Sequence, residues 1–252
     1  MPTSIGDLEH LKELYLGSNG ITGPIPSSIG KCKELVTIVM SSNILTGKTI
    51  DPPTIAALSH QALPDPLPVT IGKLRNLQHL DLRLNNLNGT LPPELGDCSK
   101  LVTLNLSNNH ISGTIPYALG NLHNLEYMCV NGNQMRGLLP SVIGDMVSLE
   151  YLNLSSNQFN GALPENIGHL QKLKSFCANS CELSGKIPST ICNCRSLRSI
   201  RMLGNPDLEP TDAIEKELAE RFGAQLTMRF GEIESDDSSS TSGSSGSDDP
   251  DD

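Results

Sequence analysis

The chain has 252 residues, of which 37% are hydrophobic, with no tryptophan and a formal net charge of −10. Eight acidic residues and no basic ones lie in the segment 231–252, so the remaining residues are nearly neutral and carry no basic stripe, which argues against nucleic-acid binding. No apolar run reaches membrane-spanning length, and the first residues lack the basic and apolar segments of a signal peptide.

A unit of 24 residues recurs along the chain, with one interruption, between residues 11 and 205. Its first position is always leucine, at Leu11, Leu35, Leu77, Leu101, Leu125, Leu149, Leu173 and Leu197. Position 9 holds asparagine or cysteine, at Asn19, Asn43, Asn85, Asn109, Asn133, Asn157, Cys181 and Asn205. Position 13 holds glycine in the first seven units, at Gly23, Gly47, Gly89, Gly113, Gly137, Gly161 and Gly185.

The columns of the repeat have physical causes. The apolar side chains of one unit cannot offset the conformational entropy lost in ordering it, so units must stack and share a core. Glycine at position 13 permits a positive φ, and the prolines at position 16 fix an extended outer segment. The asparagines are predicted to bond backbone groups of adjacent units in a structural ladder, formed by Asn19, Asn43, Asn85, Asn109, Asn133, Asn157 and Asn205.

The pattern LxxLxLxxNxLxGxIPxxIGxLxx resembles the plant-type leucine-rich repeat, and the match covers about residues 1–205. That family includes the ectodomains of receptor-like kinases, receptor-like proteins and polygalacturonase-inhibiting proteins. The resemblance implies an α/β repeat fold, namely a right-handed solenoid with a concave parallel β-sheet. It also implies that ligands bind on the concave side.

Residues 1–10 match the back half of a repeat and lack the paired cysteines that cap extracellular members of the family. Two explanations are open: a truncated or internally started gene model, which is favoured, and an intracellular protein whose open end docks on a partner. As given, the chain is expected in the cytoplasm. It would be extracellular or at the cell surface if its true N-terminus is missing.

An insertion over residues 48–66 interrupts the second repeat, which otherwise continues through the repeat region 11–205. Its four prolines exclude a continuous helix or a central strand. Loop closure costs grow slowly with length, so the insertion need not disrupt stacking. A ligand-contacting loop and translated intron sequence both remain possible origins.

Residues 206–230 are predicted to form a helix–strand cap over the last repeat. Ile214, Leu218 and Phe222 recur at helical spacing, and Leu226, Met228 and Phe230 then alternate as in an edge strand. The remaining segment 231–252 is rich in Ser, Gly and Asp and has almost nothing to bury, so we expect a disordered acidic tail.

Positions 3, 5 and 7 of each repeat are predicted to face outward together on the concave sheet. Tyrosines recur there in adjacent repeats, next to asparagines, and one strand combines a histidine, an aspartate and an arginine. Tyrosine offers a large contact area with a polar tip at low entropic cost. The predicted partner-binding residues are His79, Asp81, Arg83, Asn105, Tyr127, Asn131, Tyr151 and Asn153.

Catalytic motifs are lacking: the sequence has no Walker loop, no GxGxxG after a strand, no GxSxG and no HExxH. The cysteines Cys177, Cys181, Cys192 and Cys194 are each explained by their repeat position, so no metal site and no cofactor are expected. We therefore predict a non-enzymatic module, with a receptor-like or scaffold role in signalling or defence, that binds a protein or peptide and neither nucleic acid nor membrane. The alternatives are a secreted inhibitor of a cell-wall-degrading enzyme and a truncated ectodomain of a receptor kinase.

Overall fold

The computed structural model describes residues 1–47, 66–209, 212–222 and 227–231. Apart from Pro66, the predicted insertion lies outside the described residues, and so does the acidic tail apart from Gly231. The described part of the chain contains no helix that is long and apolar enough to cross a membrane.

Each repeat contributes one short strand to a parallel sheet, which has nine strands within the described residues. Equivalent positions of neighbouring repeats pair directly, as in Tyr127 opposite Tyr151. Position 4 of each repeat, such as Leu152 on β11, is buried, so a slip of one residue would expose the whole apolar column. The strands are β1 (Glu13–Tyr15), β3 (Thr37–Val39), β5 (His79–Asp81), β7 (Thr103–Asn105), β9 (Tyr127–Cys129), β11 (Tyr151–Asn153), β13 (Ser175–Cys177), β15 (Ser199–Leu203) and β17 (Thr227–Gly231).

The opposite side of the solenoid carries further parallel strands where the sequence predicted only an extended outer segment. Six of them form one sheet and two form a second. They are β2 (Thr22–Gly23), β4 (Ile44–Leu45), β6 (Asn88–Thr90), β8 (His110–Gly113), β10 (Gln134–Leu138), β12 (Gln158–Gly161), β14 (Glu182–Lys186) and β16 (Asp207–Glu209).

A short 3₁₀ helix follows the outer segment of each unit. Each begins directly after a proline whose extended backbone ends the preceding segment, for example Pro140 with φ −72° and ψ 146°. The helices are η1 (Thr3–Asp7), η2 (Ser27–Lys31), η3 (Val69–Lys73), η4 (Pro93–Asp97), η5 (Tyr117–Asn121), η6 (Ser141–Asp145), η7 (Glu165–His169) and η8 (Ser189–Asn193).

The core is one continuous apolar cluster shared by all repeats. It is mostly aliphatic, and Phe159 and Phe176 are its largest fully buried side chains. Stacked repeats, parallel strands and a shared interior confirm the predicted leucine-rich-repeat solenoid with its concave parallel sheet.

Position 22 of the repeat is usually leucine but holds cysteine at Cys32, Cys98 and Cys194, each with no exposed surface. A buried free cysteine usually acts as a small apolar group. In the structure their thiols also donate to carbonyl oxygens of the preceding repeat, with Sγ–O distances of 3.2 Å to Ile5 and 3.3 Å to Ile71. A cysteine at this position therefore adds a weak polar contact between repeats.

The asparagine ladder forms at six of its seven predicted positions. Asn109 is typical: its Nδ2 donates to the Leu106 carbonyl and to the Leu82 carbonyl of the preceding repeat, both at 3.0 Å. Its Oδ1 accepts the Leu87 N–H at 3.0 Å. The same contacts recur at Asn43, Asn85, Asn133, Asn157 and Asn205.

Asn19 differs from the other predicted ladder residues. Its side chain is exposed and donates only within its own repeat, to the Gly17 carbonyl at 2.7 Å. The reason is that residues 1–10 form the 3₁₀ helix η1 but no strand, so no preceding strand offers a carbonyl to bond.

At the other end, helix α1 (Asp212–Phe222) packs on η8. Its Ile214 and Leu218 are buried, and the Arg221 guanidinium donates to the Cys192 carbonyl oxygen. Strand β17 then pairs in parallel with β15 and extends the main sheet. A helix and a strand thus follow the last repeat.

Candidate binding surface

The outward-facing column at position 3 contains a stacked aromatic pair. The rings of Tyr127 and Tyr151 lie 4.7 Å apart between centroids and are tilted by only 5°. Both side chains are partly exposed. The separation matches the spacing of adjacent strands, so the sheet itself brings the rings face to face.

Neighbouring side chains hold this pair and keep it neutral. The Asn153 Nδ2 group donates to the Tyr151 hydroxyl oxygen at 3.3 Å. Burial raises the pKa of both phenols above the ordinary value, and for Tyr127 the nearby Cys129 thiol raises the pKa further. Both tyrosines therefore present uncharged rings with a hydroxyl group at physiological pH.

His79 and Asp81 lie on β5 of repeat three, whereas Arg83, predicted for the same strand, follows two residues after its end. The Asp81 carboxylate accepts the Arg83 backbone N–H at 3.1 Å, and its other oxygen lies 3.5 Å from the Arg83 Nε. The His79 Nδ1 lies 3.2 Å from the Thr103 hydroxyl. Arg83 keeps half of its side chain exposed (51%), so this cation can reach a ligand while Asp81 holds it.

The three predicted asparagines use their amide oxygens within the protein. The Asn153 oxygen accepts the Ser155 N–H at 3.0 Å, and the Asn131 oxygen accepts the Cys129 thiol at 2.9 Å. These bonds fix the planes of the amide groups. Among the residues that the structure describes, the Asn131 Nδ2 group donates to no acceptor.

Asn105 is less available than the sequence suggested, since only 6% of it is exposed. Its oxygen accepts both the backbone N–H and the hydroxyl of Ser107. The Asn105 side chain therefore orders the binding surface but adds little to the area that a ligand can reach.

Sequence reasoning left out two residues in the same columns, Asn179 and Arg201. The Asn179 oxygen accepts the Leu203 N–H at 2.9 Å, and the Asn179 N–H donates to the Ser155 hydroxyl at 3.0 Å. Arg201 is exposed at position 5 of the last repeat. Their place in the repeat was the signal that could have identified them.

The cysteines of this face do not form a reactive or metal-binding group. Cys129 and Cys177 are 4% and 6% exposed, and all seven cysteines of the chain are free thiols. Within the described ranges, no cluster of His, Cys, Asp and Glu could hold a metal ion. The surface thus offers aromatic, amide and guanidinium groups, which suit non-covalent recognition.

Models of the leucine-rich repeat family match much of the chain. One matches residues 99–159, and a second matches residues 10–32, 76–98 and 172–194. No match was found among the curated proteins.

Several solved structures of plant receptors are similar to the chain. The ectodomain of the membrane receptor kinase GASSHO1/SCHENGEN3 from Arabidopsis thaliana, in complex with CASPARIAN STRIP INTEGRITY FACTOR 2, is 34% identical over 83% of this chain, with a TM-score of 0.72. The plant peptide hormone receptor RGFR1 in complex with RGF2 is 30% identical over 84%, with a TM-score of 0.71. The Arabidopsis receptor kinase HAESA, in complex with the peptide hormone IDA and the co-receptor SERK1, is 29% identical over 82%, with a TM-score of 0.63.

The chain corresponds to only part of each of these proteins. The similar region covers 25% of the GASSHO1/SCHENGEN3 chain, 33% of the RGFR1 chain and 36% of the HAESA chain.

Proposed function

Because the chain belongs to the plant-type leucine-rich-repeat proteins, we propose that it is a recognition module that binds a peptide or protein along its main parallel sheet. Its role would be receptor-like or that of a scaffold in signalling or defence. The contact surface would comprise the predicted residues His79, Asp81, Arg83, Asn105, Tyr127, Asn131, Tyr151 and Asn153, with Asn179 and Arg201 at its edge.

The stacked pair Tyr127–Tyr151 is the observation that carries this proposal. Two parallel rings at the middle of the sheet form an apolar platform surrounded by oriented amides and by Arg83. Binding energy at protein interfaces concentrates in such partly buried aromatic groups enclosed by polar contacts. The strand register and the bond from Asn153 to the Tyr151 hydroxyl orient the rings, which lowers the entropic cost of binding.

The similar receptors support a peptide as the partner. The structures of GASSHO1/SCHENGEN3, RGFR1 and HAESA each contain a bound factor or peptide hormone, and the HAESA complex also contains a co-receptor. The present chain shares their fold over most of its own length. We therefore favour an extended peptide over a folded protein as the first ligand to test.

The test begins with the selection of linear peptides from a phage-displayed random library on the immobilised full chain. Selected peptides are synthesised and their affinities are measured by calorimetry. Changing both Tyr127→Ala and Tyr151→Ala should weaken binding by about tenfold or more, because truncation of an aromatic hot spot typically costs 2 kcal/mol or above.

Tyr117→Ala is the matched control, since Tyr117 is 73% exposed and lies on η5, away from the sheet. This variant should bind the peptides as tightly as the unaltered chain. Thermal unfolding of each variant separates loss of binding from loss of folding. Equal affinity of the double tyrosine variant and the unaltered chain would disprove the assigned surface.

A further inference from the structure

The two ends of the tyrosine stack are not equivalent. Each ring has one face against its partner and one face directed along the solenoid toward the next repeat. The strand register places Thr103 beside Tyr127 and Ser175 beside Tyr151. Both neighbours have short side chains that end well below the height of a tyrosine ring.

On the Tyr127 side, the space above Thr103 is narrowed by a side chain of the preceding repeat. His79 stands next to Thr103 in the same column, and its Nδ1 lies 3.2 Å from the Thr103 hydroxyl. The imidazole is thereby held toward Thr103. A planar group that approaches the free face of Tyr127 would therefore meet the His79 imidazole.

On the Tyr151 side, two consecutive repeats carry serine in this column, Ser175 and then Ser199. Two strand spacings of about 4.8 Å give a shelf roughly 10 Å long beside the ring. An aromatic ring is only about 3.5 Å thick, so one or two flat groups would fit there.

The tyrosine ring facing this shelf is already oriented for stacking. The Asn153 Nδ2 group bonds the Tyr151 hydroxyl, and the Tyr127 ring supports the opposite face. Strand spacing keeps the two tyrosines 4.7 Å apart, whereas a ring from a partner is not tied to the sheet and can approach Tyr151 more closely. An incoming aromatic group would complete a three-ring stack and dehydrate the exposed face.

We propose that this shelf, formed by Tyr151, Ser175 and Ser199, is a specificity pocket that receives one aromatic side chain of a bound peptide. The proposal rests on the proposed function of the sheet as a recognition surface and names the residue class that this surface selects. Aliphatic side chains fill the same space but cannot stack on the ring.

Peptides selected from the random library on the full chain provide the test. Those that depend on the tyrosine pair should share an aromatic residue at one aligned position. Replacing this residue by leucine in the synthetic peptide should weaken binding about tenfold. Because the chain has no tryptophan, a peptide tryptophan can be excited selectively and should show a changed emission spectrum on binding.

Ser175→Tyr fills the shelf from within, since its ring would stack on Tyr151 in the existing register. This variant should bind about tenfold more weakly, and the aromatic-to-leucine change in the peptide should then have no further effect. Glu13→Tyr places the same ring in the same column four repeats before Tyr127, at the exposed β1, and should also bind normally.

The possible failures are distinguishable. Peptides that depend on Tyr127 and Tyr151 but share no aromatic residue, or that bind Ser175→Tyr with undiminished affinity, overturn the specificity pocket and leave the proposed function standing. Selection of no peptide whose binding depends on the tyrosine pair overturns both.

Discussion

At the scale of single residues, the position before each ladder residue has a left-handed backbone. Its φ is 56° at Leu84 and 54° at Asn108, and serine or glycine occupies most of the other repeats. A left-handed backbone costs energy for any residue other than glycine, and most of all for a β-branched one. Serine, which is not β-branched, is the commonest residue at this position. The repeat turns out of its strand at this residue, so the asparagine that follows can point back into the core.

The ladder shows what one side chain contributes to the stack. At Cys181 a thiol replaces the amide, and its Sγ lies 3.5 Å from the Leu154 carbonyl oxygen. The thiol has no oxygen to accept the Phe159 N–H, whereas Asn157 accepts the equivalent Met135 N–H at 2.9 Å. This repeat therefore has weaker polar contacts to its neighbour than the others.

We predict that Cys181→Asn stabilises the chain. The amide is similar in size to the thiol and would restore bonds to both repeats, each worth about 0.5–1.5 kcal/mol net. Urea unfolding should show a higher free energy of unfolding by about 1 kcal/mol. The reciprocal change Asn157→Cys should lower it by a similar amount, and stabilisation by both changes would contradict this account.

At the scale of elements, the 3₁₀ helices of adjacent repeats stack because glycine at position 20 lets their backbones approach. A Cβ on Gly144 would overlap the Asn166 carbonyl oxygen of the next helix, and the same holds for Gly96 and Ala118. The last of these helices, η8, departs from this rule and carries Cys192 at the position. There the following element is α1 instead of another 3₁₀ helix, so a side chain is accommodated.

We predict that Gly144→Ala destabilises the chain by about 1–3 kcal/mol, because backbone atoms of the next repeat must move to admit a methyl group. Cys192→Ala is the matched control at the same position and should change the free energy of unfolding much less. Chemical denaturation followed by circular dichroism measures both. A Gly144→Ala variant as stable as the unaltered chain would show that the repeats are not packed as closely as described.

At the scale of the whole molecule, the shared interior contains thiols as well as aliphatic groups. Burial raises the pKa of Cys98 and Cys181 to about 11 and that of Cys194 to about 12. The folded chain thus holds these thiols protonated at pH values where an unfolded thiol, with a pKa near 9, is ionised.

Stability should therefore fall as the pH rises from about 9 to about 11. In this window the unfolded state has lost protons that the folded state retains, so the free energy of unfolding decreases with pH. Urea unfolding at a series of pH values measures the slope. Cys98→Leu, which matches the leucine at this position in other repeats, should make the decrease shallower. An unchanged slope in this variant would rule out Cys98 as a source.

The 24-residue columns were sufficient to predict the main architecture of the solenoid. They identified the apolar interior, the parallel sheet and most of the asparagine ladder, because every repeat places the same position in the same environment. They also placed Tyr127 and Tyr151 in one column, since the two residues are 24 positions apart. The period of the repeat fixes which residues pair on neighbouring strands, and paired residues lie next to each other in the sheet.

Distances and burial across repeats were decided only by the tertiary structure. The columns could not show that Asn105 is covered, or that outer segments pair into further sheets. The coplanar contact of the tyrosines likewise depends on which side chains neighbouring repeats bring to the same height. A repeat sequence specifies each unit and its register, whereas the shape of a surface arises from the packing of unequal side chains on adjacent units.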